Sequence, residues 1–201
     1  MILKGIIPGY KKAAERGQVE FSVTPYYHPI LPLLSTTNSA KEANLRSRLP
    51  AEEFKYPQDA KEHIDSAVEF YREHFGINPA GMWPSEESVS ERILPFIIES
   101  KINWIVTDEA ILFKSLKKKR DSDLLYQPHL LKRKAGDLNV IFRDRNLSDL
   151  IGFAYHNWKA ENAVSDFINH LENINKTFKG KDILVTIAMD GENAWEYFAN
   201  D

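Results

Sequence analysis

The chain has 201 residues, 43% of them hydrophobic and 27% charged, with a formal charge of −3 and no cysteine. That length can bury a substantial core in one domain or two small ones, and the composition is that of an ordinary globular protein. The acidic balance argues against a nucleic-acid partner. The missing cysteine excludes disulfides, a thiolate nucleophile and Cys-bound zinc, and no apolar stretch is long enough to span a membrane.

The segment from Met1 to Pro8 is too short and too interrupted for a signal peptide, so a cytoplasmic location is expected; the oligomeric state stays open. Residues 2–16 look helical, with Gly17 as a C-terminal stop. Gln18 to Thr24 alternates polar and apolar residues like a strand, and Pro25-Tyr26-Tyr27-His28-Pro29 breaks it. A polar loop is expected over about residues 35–57. Residues 58–75 then place Ile64, Val68, Tyr71 and Phe75 on one helical face, with Gly76 ending the helix.

A short strand is expected over 78–83, and a helix over 88–100 that Pro95 should kink or shorten. Strands follow at 102–107, ending in Asp108-Glu109, and at 138–143, ending in Arg143-Asp144. The intervening run Lys117-Lys118-Lys119-Arg120 reads as a solvated loop. Over 159–178, Ala160, Val164, Phe167, Leu171, Ile174 and Phe178 recur at helical spacing, a core-facing stripe. The apolar run Ile183–Met189 reads as a buried strand delivering Asp190-Gly191-Glu192-Asn193 at its tip.

Five strands alternate with helical segments, and polar, aromatic and charged residues collect just past the strand ends. That is where α/β barrels build their sites. Two tips stand out: Gly81-Met82-Trp83-Pro84-Ser85-Glu86, and Asp190 with Glu192 and Trp195. Paired carboxyl groups flanked by aromatics suit carbohydrate chemistry, with the carboxyls doing acid/base and nucleophilic work and flat rings stacking on sugar faces. A plain structural reading stands beside this: Ser85 or Ser88 as a helix cap, Glu86 at a helix start, and Asp190 as a turn residue. His28, in a rigid aromatic setting, is a candidate partner for a sugar hydroxyl. Trp83 and Trp195 are the best stacking candidates. The chain has no His-Glu-x-x-His, Walker loop, Gly-x-Gly-x-x-Gly or Gly-x-Ser-x-Gly, and its six His do not cluster at metal-ligand spacing.

At these residues the chain resembles glycoside hydrolase family 57, whose members act on α-glucans. Gly17-Gln18-Val19-Glu20-Phe21 through Tyr27-His28-Pro29-Ile30-Leu31-Pro32 is similar to its second conserved region. Gly81–Glu86 is similar to the third and Met189–Asn193 to the fourth; Trp104–Glu109 is a further familiar stretch. The resemblance implies a retaining glycosidase or transglycosidase on an incomplete seven-stranded (β/α) barrel of parallel strands, with no metal or organic cofactor and an α-glucan as substrate. It implies Glu86 as nucleophile and Asp190 as general acid/base; their matching positions after apolar runs lead us to expect them to face each other across one cleft. His28, Trp83, Trp104, Asp108, Glu109, Arg143, Asp144, Asp149, Glu192 and Trp195 are implied as substrate-binding residues.

The sequence departs from the family pattern in lacking the first (His-Gln-Pro) and fifth regions, and in placing Glu87 where a small residue is expected. Residues 1–201 are therefore expected to form the central part of such a barrel. A carbohydrate-binding chain without turnover, or a metal-dependent deacetylase-like barrel, are the alternatives.

Overall fold

The structure is a computed structural model that describes residues 3–191 and 194–199. Its contacts divide the chain into two compact units: residues 1–107 with 129–140, and residues 108–128 with 141–201.

The first unit opens on helix α1 (Leu3–Glu15); Gly17 follows with φ 67°. The strand expected over 18–24 is reduced to one parallel bridge, Val23 to Met82. The Val23 N–H donates to the Gly81 carbonyl at 3.0 Å and the Trp83 N–H donates to the Val23 carbonyl at 2.7 Å. Pro25, having no N–H, cannot extend that ladder.

The expected polar loop is instead partly helical. It carries α2 (Leu31–Ser35), a 3₁₀ turn at Thr37–Ser39 and α3 (Ala40–Ala43). Thr36 starts the 3₁₀ turn by accepting from the Asn38 N–H, a local cap that hydropathy does not report.

Helix α4 (Pro57–Phe75) is the long amphipathic helix of this unit. Pro57 sits in its first turn, where a missing N–H costs nothing, and Gly76 closes it with φ 77° and an N–H bond to the Arg72 carbonyl at 2.8 Å. Its inward face is Ala60, Ile64, Ala67 and Tyr71; Val68 and Phe75 flank it half-buried. Ile64 is fully covered, which contributes about 2–3 kcal/mol.

Strand β1 (Gly81–Met82) pairs in parallel with β2 (Trp104–Asp108), in the register Gly81 to Trp104 and Met82 to Ile105. Helix α5 (Leu94–Glu99) lies between them in sequence, and Pro95 occupies its first turn rather than kinking it, so the helix starts later than expected. The hairpin of β3 (His129–Arg133) and β4 (Gly136–Arg143) is antiparallel, so the strands are not all parallel as expected. The sheet order is β1-β2-β4-β3. Four strands are thus in one sheet; Met82, Ile97, Ile105 and Leu138 are almost wholly covered beside it.

In the second unit three helices are each started by an aspartate. Asp108 caps α6 (Glu109–Leu116), Asp121 caps α7 (Ser122–Leu125) and Asp144 caps α8 (Arg145–Asp149), each carboxylate accepting a backbone N–H of the first turn. A π-helical turn (Leu150–Ala154) and a 3₁₀ turn (Tyr155–Asn157) lead into α9 (Ala160–Thr177).

The expected core stripe of α9 is corrected. No residue within that helix is buried, Ala160 is exposed, and Val164 is 62% exposed. The covered line runs through Phe167, Leu171 and Ile174, half-buried, to Phe178, buried. The strand expected over 183–189 is a single parallel bridge, Arg143 to Thr186, with half-exposed neighbours. No helix among the described residues is long and apolar enough to cross a membrane.

Candidate active site

In the first unit two short turns share one design. In Pro25-Tyr26-Tyr27-His28 the His28 N–H donates to the Pro25 carbonyl at 2.8 Å. In Pro84-Ser85-Glu86-Glu87 the Glu87 N–H donates to the Pro84 carbonyl at 2.8 Å. The last two residues of each turn are left-handed: φ is 62° at Tyr27, 55° at His28, and 54° at both Glu86 and Glu87. Glycine or asparagine is the ordinary occupant of such positions, and each of these side chains costs of order 1–3 kcal/mol of backbone strain.

The two turns bring His28 and Glu86 together, with Nε2 of the imidazole 3.3 Å from the Glu86 Oε1. The Thr24 Oγ1 lies 3.1 Å from His28 Nδ1. Glu86 is exposed, its side chain 59% accessible. Behind it Ser85 and Glu87 are buried, and the Thr107 hydroxyl donates to the Glu87 carbonyl at 2.6 Å. The Glu86 carboxylate is therefore presented outward from a turn fastened at its base. Trp83 is half-buried, three residues before Glu86.

Trp104 packs within the first unit. Its indole lies across Gly81, where a β-carbon would fall 2.0 Å from Cε2, and its Nε1–H donates to Glu20 at 3.1 Å. It stands at the start of β2, whereas Asp108 stands at its end, about 13 Å on at strand rise. Trp104 packs against the parallel pair and stands at the opposite end of β2 from Asp108.

In the second unit, Asp108, Glu109, Arg143, Asp144 and Asp149 do come together, with partners that the sequence reading passed over. Asp108 accepts from Arg143 Nε at 3.1 Å, from Arg145 Nε at 3.0 Å and Arg145 Nη2, and from the Ala110 N–H at 2.8 Å. Burial alone would raise its pKa; the Arg145 guanidinium, the Ala110 N–H and Arg143 outweigh that and hold it below the usual carboxylate value. Glu109 accepts from Arg120 Nε at 2.8 Å. Asp144, 2% exposed, accepts from Arg120 Nη2 at 2.9 Å, the Tyr126 hydroxyl at 2.6 Å and the Leu147 N–H at 2.9 Å. Burial, then the Asp144 carboxylate, pushes the Tyr126 hydroxyl up to about 12.

Arg120 thus leaves the solvated Lys run assigned to it and joins the start of α6 to the start of α8. Arg145 and Tyr126 were missed because lone residues of those types carry no motif; only their placement beside buried carboxylates reveals them.

This network positions the segment that carries Asp190. Arg143 Nη1 donates to the Ala188 carbonyl at 3.3 Å and pairs with Asp149 at 3.4 Å. The Asp144 N–H donates to the Thr186 carbonyl at 2.8 Å, and the Ala188 N–H donates to the Ser148 hydroxyl at 3.2 Å. Asp190, half-buried, follows two residues after these anchors. Trp195, 52% exposed, stacks edge-on with Phe198 at 5.4 Å. Glu192 lies outside the described residues. No three His, Asp or Glu side chains among the described residues gather as a metal cluster.

Glu86 is thus an outward carboxylate of the first unit, and Asp190 follows an anchored segment of the second. The profile of Glycosyl hydrolase family 57 matches residues 1–201, and the chain belongs to that family. It is 28% identical over 144 residues to Alpha-amylase 1 of Dictyoglomus thermophilum, covering 72% of this chain and 18% of that protein.

Among solved structures, the branching enzyme of Pyrococcus horikoshii superposes with a TM-score of 0.68 at 18% identity, over 96% of this chain and 42% of that one. The 4-alpha-glucanotransferase of Thermococcus litoralis gives 0.64 at 17% identity, over 92% of this chain and 24% of that one. These likenesses show a shared fold. The chain spans about a fifth of the curated relative and between a quarter and a half of these structures.

Proposed function

We propose that this chain forms part of a retaining glycosidase or transglycosidase acting on α-glucans. The family match across residues 1–201 supports the proposal, and Glu86 and Asp190 are assigned as the two reacting carboxylates because the stretches Gly81–Glu86 and Met189–Asn193 resemble the family's third and fourth conserved regions. The four-stranded sheet is then the central part of a seven-stranded (β/α) barrel, a reading supported by the share of its relatives that the chain spans.

In the first step the Glu86 carboxylate attacks the anomeric carbon while Asp190 gives its proton to the departing glycosidic oxygen. A glycosyl ester forms and the C–O bond to the leaving group breaks. In the second step Asp190, now ionised, takes a proton from water or from a sugar hydroxyl. That oxygen attacks the anomeric carbon and releases Glu86. Water gives hydrolysis; a sugar hydroxyl gives transfer. Trp83 and Trp195 supply faces for sugar rings, and Arg143 with Asp149 holds the segment leading to Asp190.

A slow-turnover fluorinated glycosyl fluoride tests the assignment. Treatment should leave a covalent sugar on the peptide containing Glu86, found by mass spectrometry and lost in Glu86→Gln. Measurable turnover with the label on another residue, or with no trapped ester, would sink the role given to Glu86.

A further inference from the structure

His28 was expected to bind a sugar hydroxyl. Both of its ring nitrogens are already engaged, and the chemistry of the two partners fixes its tautomer. An ionised Glu86 can only accept, so the nitrogen facing it, Nε2 at 3.3 Å, must carry the proton. In a neutral imidazole the other nitrogen then accepts. The group beside Nδ1, the Thr24 hydroxyl at 3.1 Å, is able to donate to it. The result is one chain of donors, Thr24 O–H to His28 Nδ1 and His28 Nε2–H to Glu86 Oε1.

The backbone supports the same conclusion. His28 and Glu86 each sit on a left-handed residue of a Pro-initiated turn, and Tyr27 and Glu87 are left-handed beside them. Four such residues meeting at one pair of side chains is strain concentrated where aim matters. The base of the His28 turn is held independently: the Tyr26 N–H donates to the His63 carbonyl at 2.9 Å, and His63 Nδ1 contacts the Tyr26 carbonyl at 2.5 Å.

We propose that Thr24 and His28 are positioning residues for the Glu86 nucleophile: the Thr24 hydroxyl donates to Nδ1 and holds the orientation of an imidazole whose tautomer Glu86 selects, and the imidazole fixes one carboxylate oxygen so that the other is aimed at the anomeric carbon. This rests on Glu86 being the nucleophile. A neutral donor suits the task, because it orients the carboxylate without neutralising the charge that attacks. Thr24 is exposed and the His28 side chain is 35% accessible, so substitutions there spare the core.

Nitrogen-15 and proton NMR of the full chain reads the relay without any substrate. Correlation of the His28 ring nitrogens with the carbon-bound Hδ2 and Hε1 should report the Nε2–H tautomer, retained in Glu86→Gln, whose side-chain oxygen still accepts, and shifted toward a tautomer mixture in Glu86→Ala. The Nδ1 resonance should move toward that of an unbonded nitrogen in Thr24→Val and stay in place in Thr24→Ser. A His28 protonated at Nδ1, or an Nδ1 resonance indifferent to Thr24→Val, would overturn the relay whatever the reaction is.

Kinetics with an activated aryl α-glucoside reads its purpose. His28→Ala should lower kcat about 10–100-fold with KM nearly unchanged, His28→Gln should recover part of the loss, and Thr24→Val should cost about 3–10-fold while Thr24→Ser costs little. A rise in KM with kcat intact would return His28 to sugar binding and overturn the positioning role. An intact NMR relay with no label on Glu86 would refute the nucleophile assignment instead.

Discussion

Asp108 accepts from two guanidinium groups and caps a helix from a buried position, so its charge is matched on every side. Asp108→Asn keeps the shape and one acceptor oxygen but leaves Arg143 and Arg145 facing an amide. The expected loss is about 2–3 kcal/mol at neutral pH, measured by denaturant unfolding. The pH dependence has a defined sign. The folded pKa is depressed, so this stability is present above the unfolded value of about 4 and drains away as pH falls through the lower folded value. The variant should lose that part of the acid slope; an unchanged acid limb would contradict it.

Tyr126 acts at the other end of the scale. Its hydroxyl is held up to about 12, so its contribution is complete below about 10 and lost as pH rises from about 10 to 12. Tyr126→Phe should cost about 1–2 kcal/mol and flatten the alkaline limb in that window. A retained slope there would assign it to other groups. Arg120 shows the limit of legibility at this scale. Its sequence neighbours are three lysines, and nothing in composition separates a guanidinium that bridges Glu109 and Asp144 from a solvated one. Glu86 and Asp190 were singled out because each follows an apolar run in sequence; Arg145 and Thr24 follow no such pattern.

Gly81 shows how a sequence element is chosen by its neighbour. The Trp104 indole covers the place where its side chain would be, so β1 and β2 approach only with glycine there. Gly81→Ala should destabilise by about 3 kcal/mol or more, because the obstacle is a rigid ring and the strands must separate. Adding Trp104→Leu should recover a large part of that loss. A double-mutant cycle with no coupling between the two positions would refute the explanation.

Elements with a repeating apolar pattern were legible: α1, α4, α9 and β2 fall within a few residues of expectation. The β3 strand was not, because His129-Leu130-Leu131-Lys132-Arg133 is largely exposed at the sheet edge and carries little alternation. The 183–189 run was read as buried because hydropathy reports what a segment could cover, not what it meets; among the described residues of that run, Thr186 alone forms a β-bridge.

The connectivity of the whole chain makes its units inseparable by a single cut. The first is built from residues 1–107 and 129–140, so its sheet needs a hairpin that arrives after an excursion into the second unit. Leu138 and Val140 of β4 are 0% and 3% exposed, and Asn103 links the residue before β1 to β4, its N–H donating to the Ala80 carbonyl at 2.8 Å and its carbonyl accepting from the Asn139 N–H at 3.0 Å. A fragment ending at Thr107 has the helices and β1–β2, but it leaves the β4-facing edge of β2 unpaired beside the apolar surface that Leu138 and Val140 cover. Fully burying those two side chains contributes roughly 3–6 kcal/mol, comparable with the net stability of a small domain. Fragment 1–107 should therefore show helical circular dichroism without a cooperative thermal transition, and should associate at micromolar concentration. A sharp two-state melt of a monomeric 1–107 fragment would show that α4, α5 and the β1–β2 pair fold unaided, and that the hairpin is an addition to a finished core rather than part of it.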